Sequence, residues 1–255
     1  MKSYNEQLTA LRASGNLRHL PEVEHQGIWI LKEGMRMLNL SSNDYLGLAS
    51  RQDLQEEFQA STQDRFYPYS SSSSRLLTGN FSVYTKLEKQ IARSFDREAA
   101  LIFNSGYHAN TGILPALTDK QTLLLADKLV HASIIDGILL SGSPFLRYRH
   151  NDYDQLERLV QKNACQYETI IILTESIFSM DGDVADLNRL IAIKRQYPNI
   201  LLYVDEAHAI GARGKTGLGI AEEQGCIQEI DLLVGTFGKA LASMGAYLAC
   251  SRTIR

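Results

Sequence analysis

The sequence predicts an α/β protein with a mostly parallel sheet flanked by helices, and three observations carry that expectation. Short apolar runs alternate with helical patterns along most of the chain, the pattern of βαβ units. Runs such as IIIL and ILLYV are apolar without alternation, which suits strands buried on both faces. Polar, chemically capable residues follow five of these runs, and in such sheets ligands bind beyond the carboxyl ends of the strands.

Each element has its own justification. The start, MKSYNEQLTALRASG, is polar and helix-prone, and GIWILKEGMRMLNLSS follows as a short β-like section. Residues 1–45 are therefore read as an N-terminal helix and β segment, and 46–255 as one large domain. The strands are AALIF (99–103), TLLLA (122–126), ETIIILTES (168–176), ILLYVDEAH (200–208), DLLVG (231–235) and GAYLACS (245–251). The helices include 82–96, 131–141, 152–162 and 185–197. Leu156, Leu159 and Val160 keep helical spacing on the third, and Leu187, Leu190, Ile191 and Ile193 do so less regularly on the fourth.

Composition narrows the function classes. The 255 residues are 44% hydrophobic and 22% charged, the profile of a soluble globular protein. A net charge of −3 gives no sign of the basic surface by which phosphate backbones are bound, so no nucleic-acid partner is expected. Cys165, Cys226 and Cys250 are far apart and lack metal-ligand spacing, which implies free thiols in a reducing compartment and no metal. No apolar run reaches the ~18 residues of a membrane span, and the first residues lack a signal-peptide core. The expectation is a cytoplasmic protein without a membrane partner.

One stretch, VDEAHAIGARGKTG (204–217), offers a competing class. It contains the Asp-Glu-Ala-His of a helicase box and, shortly after, Gly-Lys-Thr. A phosphate-binding P-loop requires glycine five residues before its Gly-Lys, and that position holds Ala209. The two ATPase motifs also belong on separate strands, with the P-loop first. The plain alternative for GARGKTGLG is a glycine-rich surface loop with two solvated cations.

Other residues carry a different chemistry. Lys239, in GTFGKALASMG, follows a buried strand and is flanked by small or apolar residues. Partial desolvation would lower its pKa and expose a nucleophilic amine able to condense with an aldehyde. A solvated loop lysine is the alternative. Thr236 is placed to bond a phosphate. Asp205 ends an apolar strand, where it is either a cap or ion-pair residue or the partner of a protonated ring nitrogen, with His208 reaching an oxygen of the same ring. Ser105 in FNSGYHAN is placed to cap a helix whose Gly106 and Tyr107 N–H groups would face an anion. Tyr107 or His108 could add a contact. His131 begins another helix after a strand and offers a flat face, or simply caps the helix. Asn43 is ambiguous alone.

The segments SSNDYLGL (41–48), SSSSRLLTGN (71–80), FNSGYHAN (103–110), HAS (131–133), TESIFSMDGD (174–183), VDEAHAIG (204–211) and GTFGKALASMGAY (235–247) together resemble the α-oxoamine synthases. These are pyridoxal phosphate enzymes of the aspartate-aminotransferase fold (fold type I), and the resemblance runs from about Arg18 to Ser251. It implies that Lys239 holds the cofactor covalently and serves as general base. Asp205 would pair with the ring nitrogen, His208 with the ring phenolic oxygen, and His131 with the ring face. Gly106, Tyr107, Ser179 and Thr236 would contact the cofactor, and Arg18, Asn43 and His131 the substrate. The resemblance is strongest to the member that condenses L-alanine with a pimeloyl thioester of coenzyme A or acyl carrier protein, with relatives using glycine or serine as the alternative. It also implies a homodimer. The family continues past this point into a smaller C-terminal domain, so the expectation is that this chain holds the cofactor residues but lacks that domain and full turnover. A non-catalytic cofactor-binding remnant is the remaining alternative.

Overall fold

The computed structural model describes residues 3–62 and 68–255 and divides into two compact units, Met1–Ser42 and Asn43–Arg255. The first unit opens with helix α1 (Tyr4–Ala13). Its start is fixed by a capping box, in which the Ser3 side chain accepts from the Glu6 N–H and Glu6 accepts from the Ser3 N–H. Three short antiparallel strands follow, β1 (Glu24–Gln26), β2 (Trp29–Lys32) and β3 (Met35–Leu38). The turn before β2 uses Gly27 and the turn after it Gly34, both at positive φ, which glycine adopts without steric cost. The Arg36 guanidinium lies 4.5 Å from the Trp29 ring centroid.

The second unit is built on a seven-stranded sheet. Its strands in chain order are β4 (Ala99–Phe103), β5 (Thr122–Asp127), β6 (Phe145–Tyr148), β7 (Thr169–Glu175), β8 (Ile200–Asp205), β9 (Leu232–Thr236) and β10 (Ala246–Cys250). Across the sheet the order is β4-β10-β9-β8-β7-β5-β6. All pairings are parallel except those of β10, which runs antiparallel to both β4 and β9. The reason is loop length. Only residues 237–245 separate β9 from β10, and a parallel crossover needs about a dozen residues or more. The chain therefore folds back, with Phe237 N donating to the Gly245 carbonyl at 3.0 Å. Because β10 is antiparallel to both neighbours, β4 points the same way as β9, and the carboxyl ends of β4, β5, β7, β8 and β9 share one edge.

Helices α2 (Gln52–Thr62), α3 (Ser82–Ser94), α4 (Gly106–Leu117), α5 (Ala132–Ser141), α6 (Tyr153–Asn163), α7 (Leu187–Lys194) and α8 (Ile220–Glu223) complete the unit. Leu156 and Val160 on α6, and Leu187, Leu190, Ile191 and Ile193 on α7, are buried, as their spacing predicts. Strand β6 and helix α2 were not legible. The first three residues of FLRY are exposed at the sheet edge, and α2 buries no residue, so neither shows an apolar run. Central strands carry the core: Leu123 to Ala126 and Ile170 to Leu173 are all buried. Truncation of Ile172 to alanine is expected to cost about 2–5 kcal/mol, read from the shift in the urea unfolding midpoint. Among the described residues no helix is long and apolar enough to cross a membrane.

Candidate active site

Seven of the ten expected site residues line one cavity of about 190 Å³ at the shared strand edge. They are Gly106, Tyr107, His131, Asp205, His208, Thr236 and Lys239. Local folding places each. Ser105 caps α4 by accepting from the His108 N–H at 3.2 Å, so Gly106 and Tyr107 occupy its first turn, where N–H groups have no helical partner. His131 caps α5, its Nδ1 accepting from the Ser133 N–H at 3.2 Å. Lys239 sits in the short loop between β9 and β10. Thr236, the last residue of β9, donates its hydroxyl to the Gly245 carbonyl at 3.0 Å and accepts from the Gly238 N–H at 3.1 Å, which shapes that loop.

The cavity also contains residues to which the sequence assigned no role: Asn110, Ser133, Glu175 and Ala207. Asn110 is the hub. Its Nδ2 donates to Asp205 Oδ2 at 3.1 Å and to Ser133 Oγ at 2.8 Å, while its Oδ1 accepts from the buried Tyr203 hydroxyl. Ser133 Oγ lies 2.7 Å from His131 Nδ1 and donates to it, because that nitrogen already accepts from the Ser133 N–H and so offers a lone pair, not a proton. His131 Nδ1 is thus an acceptor, which leaves the ring's proton on Nε2. One continuous network joins the carboxylate of Asp205 to the imidazole of His131. The other carboxylate oxygen of Asp205 accepts from the Ala207 N–H at 2.9 Å.

Electrostatics follow from burial. Burial lowers the Lys239 pKa, and the carboxylates of Asp205 and Glu175 oppose this in part. Burial is also the first cause that pushes His208 down to about 4, followed by the charge of Lys239, so His208 is neutral in the physiological range. Its Nδ1 lies 2.7 Å from the Tyr45 hydroxyl, which in turn donates to Asn43 Oδ1 at 3.1 Å. Asn43 therefore reaches the site through Tyr45. Ser179 is exposed and does not line the cavity, although its backbone acts on Glu175. Arg18 is exposed in the first unit.

Glu175 is the second acid. It pairs with Asp205 in the β7–β8 register, it is 2% exposed, and its Oε1 has no hydrogen-bond partner among the described residues. Burial first, and the Asp205 charge second, push its pKa up to about 8. The folded state thus prefers the protonated acid, so stability falls as pH rises from the unfolded value, near 4.5, through about 8. Replacing Glu175 by Gln is expected to leave stability unchanged at acidic pH. It should stabilise the protein by a few kcal/mol near neutrality and above, seen as a gap in melting temperature that widens across this window.

The Gly-Lys-Thr loop binds itself. Thr216 N and Leu218 N donate to the Glu222 carboxylate, Gly211 N donates to the Gly217 carbonyl, and Gly219 N donates to the Arg213 carbonyl. Arg213 makes a two-pronged pair with Glu223 at 2.9 and 2.6 Å, so only one of the two loop cations expected to be solvated lacks a salt bridge among the described residues. Backbone donors committed in this way form no phosphate cradle, and the ATPase reading lapses.

The family model described as aminotransferase class I and II matches residues 35–255. The chain belongs to the class I and II aminotransferase family. Among this family's relatives, a Pasteurella multocida (strain Pm70) protein named, by inference, 8-amino-7-oxononanoate synthase is 58% identical over the whole chain. The chain spans 66% of that protein's length. A solved serine palmitoyltransferase of Sphingomonas wittichii aligns with TM-score 0.85 at 26% identity, over 97% of this chain and 62% of that one. A solved 8-amino-7-oxononanoate synthase of Francisella tularensis aligns with TM-score 0.68 at 30% identity, over 84% of this chain and 58% of that one.

The cofactor of this aminotransferase family site is pyridoxal phosphate. The donor set fits it. A buried carboxylate with a fixed amide partner, an amine held partly desolvated, a neutral imidazole and a helix start whose first N–H groups have no helical partner converge on one cavity.

Proposed function

We propose that this chain carries the cofactor-binding site of a pyridoxal-phosphate-dependent acyltransferase of the α-oxoamine synthase type. Its reaction would condense L-alanine with a pimeloyl thioester of coenzyme A or acyl carrier protein. The α-carbon of alanine bonds to the thioester carbonyl carbon, the thiol leaves, and the alanine carboxylate departs as CO₂, giving 8-amino-7-oxononanoate for biotin synthesis. The observation that carries this reading is the Asp205–Asn110–Ser133–His131 network with Lys239 in the same cavity. The 58% identity to the Pasteurella protein supports this acyl acceptor and donor.

Bound pyridoxal phosphate supplies an electron sink. The protein's residues supply binding, orientation and proton movement. The Asp205 carboxylate, fixed by Asn110 and Ala207, would hold a proton on the ring nitrogen. His208 would meet the ring's phenolic oxygen, and His131 would cover the ring face. Lys239 would anchor the cofactor and then move the α-proton of alanine. Gly106, Tyr107, Thr236 and Ser179 would contact the cofactor, with Arg18 and Asn43 toward substrate. A homodimer in the cytoplasm belongs to the same proposal.

The likeness to serine palmitoyltransferase favours a second reading, in which serine replaces alanine. Titration of the holoprotein with alanine, serine and glycine separates the two. A change in the cofactor absorbance at lowest concentration with alanine supports the first, and with serine the second.

A further inference from the structure

Outside the cavity, a cluster of titratable side chains surrounds His150, just beyond β6. Its ring stands between two carboxylates from different segments. Nδ1 lies 2.9 Å from Asp127 Oδ1, and Nε2 lies 2.6 Å from Asp183 Oδ2. The ring also packs edge-on against Phe178, with centroids 4.4 Å apart. Asp127 is the last residue of β5, shortly before His131. Phe178 and Asp183 belong to the loop after β7, which carries Ser179. That loop is closed on itself by Phe178 N to the Asp183 carbonyl at 3.1 Å and Ala185 N to the Ser176 carbonyl at 3.0 Å. His150 therefore ties the His131 end of the sheet to the Ser179 loop, beside Asn151, whose N–H donates to Asp127 and whose amide donates to Asp183.

We propose that His150 is a positioning residue whose doubly protonated ring locks the Ser179 loop against Asp127, and whose loss of one proton releases that loop. The chemistry is direct. Two ring N–H groups are needed to satisfy two carboxylates, and a neutral imidazole has only one. The carboxylates do not lose equally. Asp127 is buried and keeps the N–H groups of Leu129 and Asn151, each at 2.8 Å. Asp183 is partly exposed; among the described residues it keeps the Asn151 side-chain amide at 2.7 Å on the same oxygen and has no hydrogen-bond partner on Oδ1. The neutral ring should stay with Asp127 and leave Asp183.

The two nearby arginines are engaged elsewhere. Arg149 pairs with Asp152 at 2.5 Å, and Arg147 donates to the Lys128 carbonyl. Tyr148, at the end of β6, is held far above its ordinary range by burial first and by Asp127 second. Tyr153, at the start of α6, is raised by burial, so both stay neutral. Asp186 is committed to capping α7. Burial alone would lower the His150 pKa, but the hydrogen bonds and charges of Asp127 and Asp183 outweigh it, and the net shift is upward. A raised folded-state value means the lock is complete below the ordinary histidine pKa and is lost as pH rises through the raised one.

That Ser179 serves the cofactor rests on the reading above; the loop's own pH response does not. The test uses the protein without cofactor. Hydrogen-exchange protection factors of residues 177–184 are measured across the His150 titration, which NMR follows on the ring itself. Protection should fall on the order of tenfold in step with the ring, the worth of one charge-assisted hydrogen bond. His150→Gln, which keeps a hydrogen bond but cannot titrate, should show no step. Asp183→Asn should lower the ring's titration point and move the step with it, and this arm decides alone if His150→Gln does not fold. Protection that ignores the titration, or a step that persists in His150→Gln or stays in place in Asp183→Asn, overturns the proposal. Pyridoxal phosphate release is then followed across the same pH range in the loaded protein; a step in the loop with no matching change in release sustains the lock and overturns only the cofactor role of Ser179.

Discussion

Lys239→Ala is expected to abolish the cofactor's covalent absorbance band and to slow α-proton exchange on alanine by roughly 10²–10⁴-fold or more. The reason is positional. Residues 237–245 are too few for a crossover, so the chain turns back directly after β9 and leaves one amine in the cavity beside Asp205 and Glu175. Burial holds that amine below the usual lysine range, which raises its neutral, nucleophilic fraction. Alanine at this position removes both the nucleophile and the base while leaving the fold's core contacts in place. Lys215, in the self-bonded loop, is expected to be dispensable. Lys215→Ala is the natural control, and an exchange rate within about twofold of wild type is the outcome expected of a solvated surface cation.

Asp205→Asn should have the second largest effect, a loss of about 10²–10³-fold in the same exchange rate. An amide occupies the same space and still faces Asn110, but it carries no negative charge to hold a proton on a ring nitrogen. A second signature separates this loss from simple misfolding. The Asp205 charge is the second cause of the raised Glu175 pKa, so the variant should titrate Glu175 below about 8. Following that carboxyl by NMR in the cofactor-free protein measures the shift independently of catalysis. An unchanged Glu175 titration would show that the two acids do not interact as their register implies.

The strand ends were legible because burial and chemistry coincide there. An aspartate closing ILLYV, or a lysine among small residues after DLLVG, is costly unless it has a partner, and that cost is visible in one dimension. Asn110 and Ser133 lie within FNSGYHAN and HAS, but nothing in a helical run marks an asparagine as a hub. Its importance lies in the approach of α4, α5 and β8, which only the fold brings together. Glu175 was one of several polar residues after β7, and its meaning depends on the β7–β8 register that sets it opposite Asp205. Tyr45 reaches His208 from the far end of the sequence, a contact no local pattern encodes. The antiparallel return of β10 was readable in principle from the short loop before it, whereas β6 was not, since an exposed edge strand needs few apolar residues.

The most direct test of the site is chemical. The protein is incubated with pyridoxal phosphate, reduced with borohydride, digested and mapped by mass spectrometry. One modified residue is expected, Lys239, at close to one label per chain. Labelling spread over surface lysines, or centred on Lys215 with Lys239 unmodified, would contradict it.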